Sequence, residues 1–297
     1  DDRKGPQLVN VATDGETFGH HEPFADMCLA SLFDQEARQS GLSVVNYARY
    51  LEIAPPVMEV DIKPGPNGEG TAWSCAHGTG RWRRDCGCST GGAAGWNQKW
   101  REPFRHALDN LRASLDEVYS NALAGSVKDP IAARNDYITI LLDRREETHA
   151  AFFERHMKKG TSPADKLKLH ALLESQKNAM FMYTSCGWFF AEISGLEAVQ
   201  NMRYAARAIE LAEPYTRRPL MQPFLADLAE APSNIDEFRE GRTVFRRLVW
   251  PSMMTMDKIV AADAMAALVA GKARIWQPIN YSVETLRHDA LPDRYPS

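Results

Sequence analysis

The sequence predicts an α/β segment followed by a mainly helical domain, and three observations carry that reading. Short β-branched runs alternate with amphipathic stretches in the first third. A polar octet, residues 14–21, directly follows the first of those runs. From Gln98 onward the strand signal fades and long helical periodicities take over. The division falls near residues 96–100, so 1–97 reads as one region and 98–297 as a helical domain.

Taken in order, residues 8–13 (Leu-Val-Asn-Val-Ala-Thr) read as a strand that ends in Asp14-Gly15. Residues 23–39 read as a helix with Phe24, Met27, Leu29, Leu32 and Phe33 as its apolar positions. A second strand over 43–46 and a short helix over 46–52 follow, stopped by Pro55-Pro56. Residues 57–62 alternate apolar and charged side chains as a half-exposed strand would, and 63–68 form a Pro/Gly turn cluster.

In the helical region, 98–123 places Trp100, Phe104, Leu108, Leu111, Leu115 and Val118 close to helical spacing. Asp129-Pro130 opens the next helix, with Ile131, Tyr137, Ile138, Leu141 and Leu142 along it, and Ser162-Pro163 opens a third. Ser194 and Glu197, three apart, match a capping box launching 198–212, and 255–270 reads as a last Ala- and Met-rich helix.

At 297 residues and 44% hydrophobic content, the chain can bury a substantial core in one large or two ordinary domains. A net charge of −4 provides no field to recruit nucleic acid or an anionic membrane surface. The basic run Arg81-Trp82-Arg83-Arg84 is local, and reads as a solvated face or a set of ion-pair partners. No apolar run has the length of a membrane span, and the first residues carry no signal-peptide core. Five cysteines, an odd number with three of them crowded between Cys75 and Cys88, do not resemble a secreted disulfide framework; a cytoplasmic protein is expected.

Two sets of residues could carry chemistry. In Asp14-Gly15-Glu16-Thr17-Phe18-Gly19-His20-His21, two carboxylates and two imidazoles lie within eight residues at a strand end. On pattern alone this is equally a polar turn leading into the helix near Pro23. The second set is Cys75-Ala76-His77 with Cys86-Gly87-Cys88. Two ligand pairs joined by a Gly-rich loop can supply the tetrahedral thiolate and imidazole shell that zinc takes in structural sites. A redox-labile thiol group and buried cysteines packing as small hydrophobes remain alternatives.

The octet resembles the fourth sequence motif of glycoside hydrolase family 57, a strand-end Asp-x-Glu-x-Phe-Gly followed by His or Trp. Tyr50-Leu51 through Pro55-Pro56, then 57–62 and Trp73-Ser74, is similar to the run that closes that family's barrel. Met182 to Phe190, holding Trp188, sits where the family carries a Trp-bearing segment. The whole chain looks closest to the bacterial branch in which the catalytic region precedes an uncharacterised helical extension. The resemblance implies that 1–97 is the end of a (β/α) barrel and that a C-terminal helical bundle follows. It also implies a retaining α-glucan-active hydrolase or transglycosylase of amylase, glucanotransferase or branching type.

Glycoside cleavage needs an acid to protonate the leaving oxygen and a second carboxylate roughly 5–5.5 Å away in retaining enzymes. The resemblance makes Asp14 the general acid/base, which must hold its proton through burial or a neighbouring carboxylate. Glu16, His20 and His21 would bind sugar hydroxyls or orient the acid, and Trp73 and Trp188 would meet the substrate. His106, His149, His156 and His170 are expected at the surface or satisfied in the interior.

The family's nucleophile lies on a strand upstream of the octet. The chain is therefore expected to be the C-terminal part of a longer protein, a split-gene product completed by a partner chain, or a form that has lost activity. Two rival functions stand beside the enzyme. One is a non-catalytic subunit binding glucan or a protein partner; the other is a metal- or thiol-dependent protein centred on the Cys/His loop.

Overall fold

The computed structural model describes residues 4–254 and 256–270. The chain divides into two compact units, Asp1–Lys63 and Pro64–Ser297. No helix among the described residues is long and apolar enough to cross a membrane.

In the first unit the octet opens with a 3-10 turn, Gly15–Thr17. Helix α1, Ala25–Ser31, starts after Phe24, whose φ of 67° takes the left-handed turn that brings the chain into the helix. It runs on through a π-helical turn, Leu32–Glu36, to Ala37–Gln39. Helix α2, Tyr47–Ile53, is capped by Asn46, whose side-chain oxygen accepts from Arg49 N at 2.8 Å.

The expected strands are absent. Among the described residues there is no strand and no sheet, only isolated bridges such as Phe18 to Glu22 and Val127 to Met157. The α/β fold class, with residues 1–97 as the end of a (β/α) barrel, is thereby overturned: the chain is mainly helical. The physical reason lies in what a strand requires. It needs a neighbour's hydrogen-bond ladder and an apolar face against a core. Residues 8–13, 43–46 and 57–62 have neither here, and Val9, Val11, Val57 and Ile62 stand 85%, 82%, 92% and 91% exposed. Period-two patterning specifies a face, but without a paired ladder it leaves irregular chain.

The second unit holds the core. Its principal helices are α3, Arg101–Leu123; α4, Pro130–Asp136; α5, Glu146–His156; and α6, Pro163–Phe181. They continue with α7, Leu196–Ala212; α8, Met221–Ala229; and α9, Met256–Ala270. On α3 the periodic positions Phe104, Leu108, Leu111, Leu115 and Val118 are all buried, joined by Ala107, Tyr119 and Leu123. Each such aliphatic or aromatic burial is worth about 1.5–3 kcal/mol in transfer free energy.

Helices α6 and α7 pack together, and small residues on α7, Ala205, Ala208 and Ala212, let the two backbones approach. Ser175 Oγ uses that closeness, donating to Ala208 O at 2.8 Å.

Helix starts follow the expected chemistry at two of three caps. Asp129 accepts from Ala132 N at 3.0 Å ahead of Pro130, and Ser162 with Asp165 forms a reciprocal capping box. Ser194 does not cap α7; Gly195 occupies that position, and the Ser194 N–H donates to the Glu192 carboxylate at 3.2 Å. Beyond α4, Tyr137 and Ile140 turn inward, while Ile131, Ile138 and Leu142 face solvent.

Candidate metal centre and the Asp14 turn

Residues 64–97 contain no long helix; they wrap as a loop on the helical body of the second unit. Thr79 Oγ1 donates to Glu69 O at 2.8 Å, and a 3-10 turn, Gly80–Trp82, follows. Two pairs of short-range neighbours meet across this turn. Cys75 Sγ lies 3.9 Å from both Cys86 Sγ and Cys88 Sγ, and Cys88 Sγ lies 3.4 Å from His77 Nδ1. All four ligand atoms fall within 4.8 Å of one another. A zinc tetrahedron with Zn–S bonds of about 2.3 Å has S–S edges of about 3.8 Å, so the spacing suits a shared metal. It does not suit a disulfide, whose sulfurs sit about 2.05 Å apart.

The residues between the ligands explain the convergence. A Cβ on Gly80 would sit 3.1 Å from Cys86 Cβ and 3.3 Å from His77 Cβ, a tight fit that would make the two ligand-bearing residues give by a few tenths of an ångström. Gly87, with φ of +80°, supplies the left-handed step that lets Cys86 and Cys88 face the same point.

Electrostatics prepare the sulfurs. Burial pushes the Cys75 thiol up, but hydrogen bonds from the backbone N–H groups of His77 and Arg81, with the Cys86 and Cys88 thiols, outweigh it and bring it down to about 7. Burial pushes the Cys86 thiol up, and the crowded neighbouring sulfurs add to that. A group of thiols that resists holding several negative charges at once is what a divalent cation relieves. The residues fit a zinc ion: three soft sulfurs, one imidazole, tetrahedral spacing and backbone N–H donors to sulfur.

Two arginines fix this loop to the helical body, and the sequence reading missed both. Arg81, expected on a solvated face, is 6% exposed, and its guanidinium donates to Phe189 O at 2.7 Å, Ser74 O at 3.1 Å and Thr90 Oγ1 at 3.1 Å. Arg101, at the start of α3, is fully buried and donates to Cys88 O at 2.6 Å. Arg84 does act as an ion-pair partner, clamping Glu69 with two bonds of 3.1 and 2.7 Å. One signal could have flagged Arg101: a cation in the first turn of a helix opposes the helix dipole and asks for another reason to be there. Trp82 adds a further tie, donating from Nε1 to Ser185 O at 2.9 Å.

The octet is a compact turn in the first unit. Thr17 N donates to Asp14 O, His20 N and His21 N both donate to Glu16 O, and Glu22 N donates to Thr17 O. The His20 and His21 rings lie 4.9 Å apart. Asp14, Glu16, His20 and His21 are all exposed, and Asp14 caps no backbone N–H with its carboxylate.

The aromatic candidates separate. Trp73 is 83% exposed on the metal loop, whereas Trp188, expected to turn into a cleft, is fully buried. Its ring lies 5.1 Å from Phe104 and stacks at 10° on Tyr183, so it packs the core beneath the loop. Glu192, four residues beyond Trp188, is likewise committed: it accepts from Ser233 Oγ at 2.5 Å and Asn234 N at 2.8 Å.

Of the other histidines, His156 meets Asp136 at 2.7 Å and His106 meets Asn110 at 3.0 Å. His149 stacks on His170, and burial lowers the affinity of His170 for a proton. A groove of about 640 Å³ runs beside α3 and the start of α8, lined by Asn110, Glu117, Tyr215, Arg218, Phe224 and Asp227 among others. None of the catalytic, sugar-binding or metal candidates read from the sequence lines it.

Comparison with known proteins gives one match. A family model described as "Domain of unknown function (DUF3536)" matches residues 96–294. No curated protein and no solved structure matches the chain.

Proposed function

The chain belongs to the DUF3536 family, and from that premise we propose that it is the C-terminal portion of a retaining α-glucan-active glycoside hydrolase or transglycosylase. In this reading Asp14 is the general acid/base, and the nucleophilic carboxylate comes from an upstream segment or a partner chain. Cys75, His77, Cys86 and Cys88 hold a structural zinc that orders residues 64–97 on the helical body.

The observation that carries the enzyme reading is the octet turn. Its backbone closes on itself through Glu16 O and Thr17 O, which leaves the Asp14 side chain presented rather than spent on capping. Because Asp14 is exposed, burial cannot hold its proton, so in this reading a neighbouring carboxylate, Glu16 or the nucleophile of the completed assembly, does so, while the two imidazoles are placed to bind sugar hydroxyls. The family resemblance of the same octet to glycoside hydrolase family 57 supports the substrate class. A cytoplasmic location belongs to the reading, supported by cysteines that are all free of disulfides.

Trp188 drops out of the proposed sugar contacts because it is core, while Trp73 stays on the exposed loop. The zinc would supply no chemistry to the sugar. Its part is to cross-link a loop too rich in glycine to order itself.

The test is complementation. The chain alone should not turn over an unactivated α-glucan, since one carboxylate cannot complete a double displacement. Joined to the segment or chain that carries the nucleophile, it should hydrolyse or transfer with retention of configuration. Absence of turnover in that assembly, with glucan still bound, would replace this reading with a non-catalytic glucan-binding subunit.

A further inference from the structure

Arg81 and Arg101 are an unusual pair: both guanidiniums are more than nine-tenths buried, and neither forms an ion pair with a carboxylate among the described residues. Every acceptor they use is neutral. Arg81 has the carbonyls of Phe189 and Ser74 and the Thr90 hydroxyl, and lies 4.3 Å over the Phe189 ring. Arg101 has the carbonyls of Cys88, Phe189 and Phe190. The Nε of each has no partner at all.

Neutral acceptors orient a buried cation but do not cancel its charge, and an uncompensated buried charge is costly. Arginine cannot escape that cost by losing its proton. Some anion must therefore stand nearby. Glu69 is already paired with Arg84, and Asp85 is exposed and interacts with Arg101 only at a distance. The remaining candidate is the Cys/His centre, one of whose ligating residues, Cys88, gives its carbonyl directly to Arg101.

We infer that Arg81 and Arg101 are the counter-ions of an anionic metal–thiolate centre, so that metal and arginines hold one another in the fold. Three thiolates and a neutral imidazole around Zn²⁺ leave a net charge of −1 on the centre, and the two guanidiniums bond the carbonyls of Cys88, a ligand, and of Ser74, next to the ligand Cys75. The arginines are positioning residues: they touch the Cys88 carbonyl and the Phe189–Phe190 backbone and act on the metal through these contacts and through their charge. The inference rests on zinc at the four ligands and adds a dependence that a merely structural arginine would not show. With metal present the centre's fixed negative charge offsets part of the buried positive charge. With metal removed that fixed anion is lost and the two cations are less well compensated.

The experiment uses the full chain, its Arg101→Met, Arg81→Met and Arg101→Lys variants, and zinc itself as the probe. Zinc affinity is measured by competition with a chromophoric chelator, and thermal midpoints are recorded with zinc and after its removal. Each Met variant should bind zinc roughly tenfold to a hundredfold more weakly, the range found when outer-shell partners of a metal site are removed. Arg101→Lys, which keeps the charge, should recover most of that affinity.

The thermal midpoints should separate the two states. Arg101→Met should lie further below the parent with zinc than without it. A Met variant that melts lower by the same amount in both states, or Met and Lys variants with equally weakened zinc affinity, would overturn the counter-ion role while leaving the zinc site standing. A parent chain that binds no zinc would overturn both together.

Discussion

At the residue scale, Asp14 and Gly80 do opposite jobs. Asp14 is presented: its side chain is exposed and caps no backbone N–H. Asp14→Asn should therefore leave the fold intact and remove the transferable proton. In the completed assembly it is expected to lower glucan turnover by at least about a hundredfold, the scale of general acid catalysis. Turnover within about tenfold of the parent would show that another group is the acid. Gly80 is a packing constraint, with the Cβ atoms of Cys86 and His77 within 3.1 and 3.3 Å of the position a side chain would take. Gly80→Ala should push the two ligand pairs apart and lower zinc content and thermal midpoint together. Metal content of the purified variant checks this, and an unchanged content would mean that the loop closes by another route.

At the element scale, the helices were legible where local chemistry decides them. The apolar spacing of α3 and the side-chain caps at Asp129 and Ser162 lie within single turns, and the structure follows them. What failed depended on distant partners. The runs at 8–13 and 57–62 carry a strand pattern, but a strand exists only when another pairs with it. The Ser194 cap failed because the helix begins one residue later, with Gly195 as its N-cap, and the Ser194 N–H that Glu197 would have met goes to Glu192, a bond the spacing of Ser194 and Glu197 does not encode.

The Cys/His loop was readable as ligand types at short spacing, and the structure brings those four together. Its buried arginines were not readable, because burial of Arg81 and Arg101 is set by carbonyls up to 108 residues away along the chain.

The capping box of α6 gives a pH prediction at this same scale. Hydrogen bonds from Lys168 and Ser162 hold the Asp165 carboxyl down to about 2. A carboxyl depressed in the folded state stabilises the fold above its unfolded value, near 3.9, and that contribution is lost as pH falls toward 2. Asp165→Asn should flatten the acid limb of the stability profile between those values and leave its neutral-pH shape alone. Chemical denaturation between pH 2 and 6 reads this. Separately, Ser162→Ala should cost about 1 kcal/mol of unfolding free energy through loss of the cap.

At the scale of the whole molecule, the two units differ in how much they bury. Among residues 4–63 only Ala37 is fully buried, whereas the unit from Pro64 onward holds the continuous core. Local opening follows burial, so limited proteolysis of the zinc-loaded chain should cut within residues 4–63 before it cuts the buried helices α3 to α8. Stripping the metal should add cuts within 64–97, because that loop owes its order to the four ligands and to the arginines behind them. Mass mapping of early fragments checks both statements, and early cuts inside α3 or α7 would contradict them.

The central claim is that Cys75, His77, Cys86 and Cys88 share a zinc ion, and the most direct measurement is the metal content of the purified full chain alongside Cys88→Ser. The expected result is one zinc per parent chain, loss of that zinc in the variant, and a fall in thermal midpoint when a strong chelator removes it from the parent. A parent chain free of metal, indifferent to chelator, with those three thiols reacting freely and at equal rates, would contradict the account.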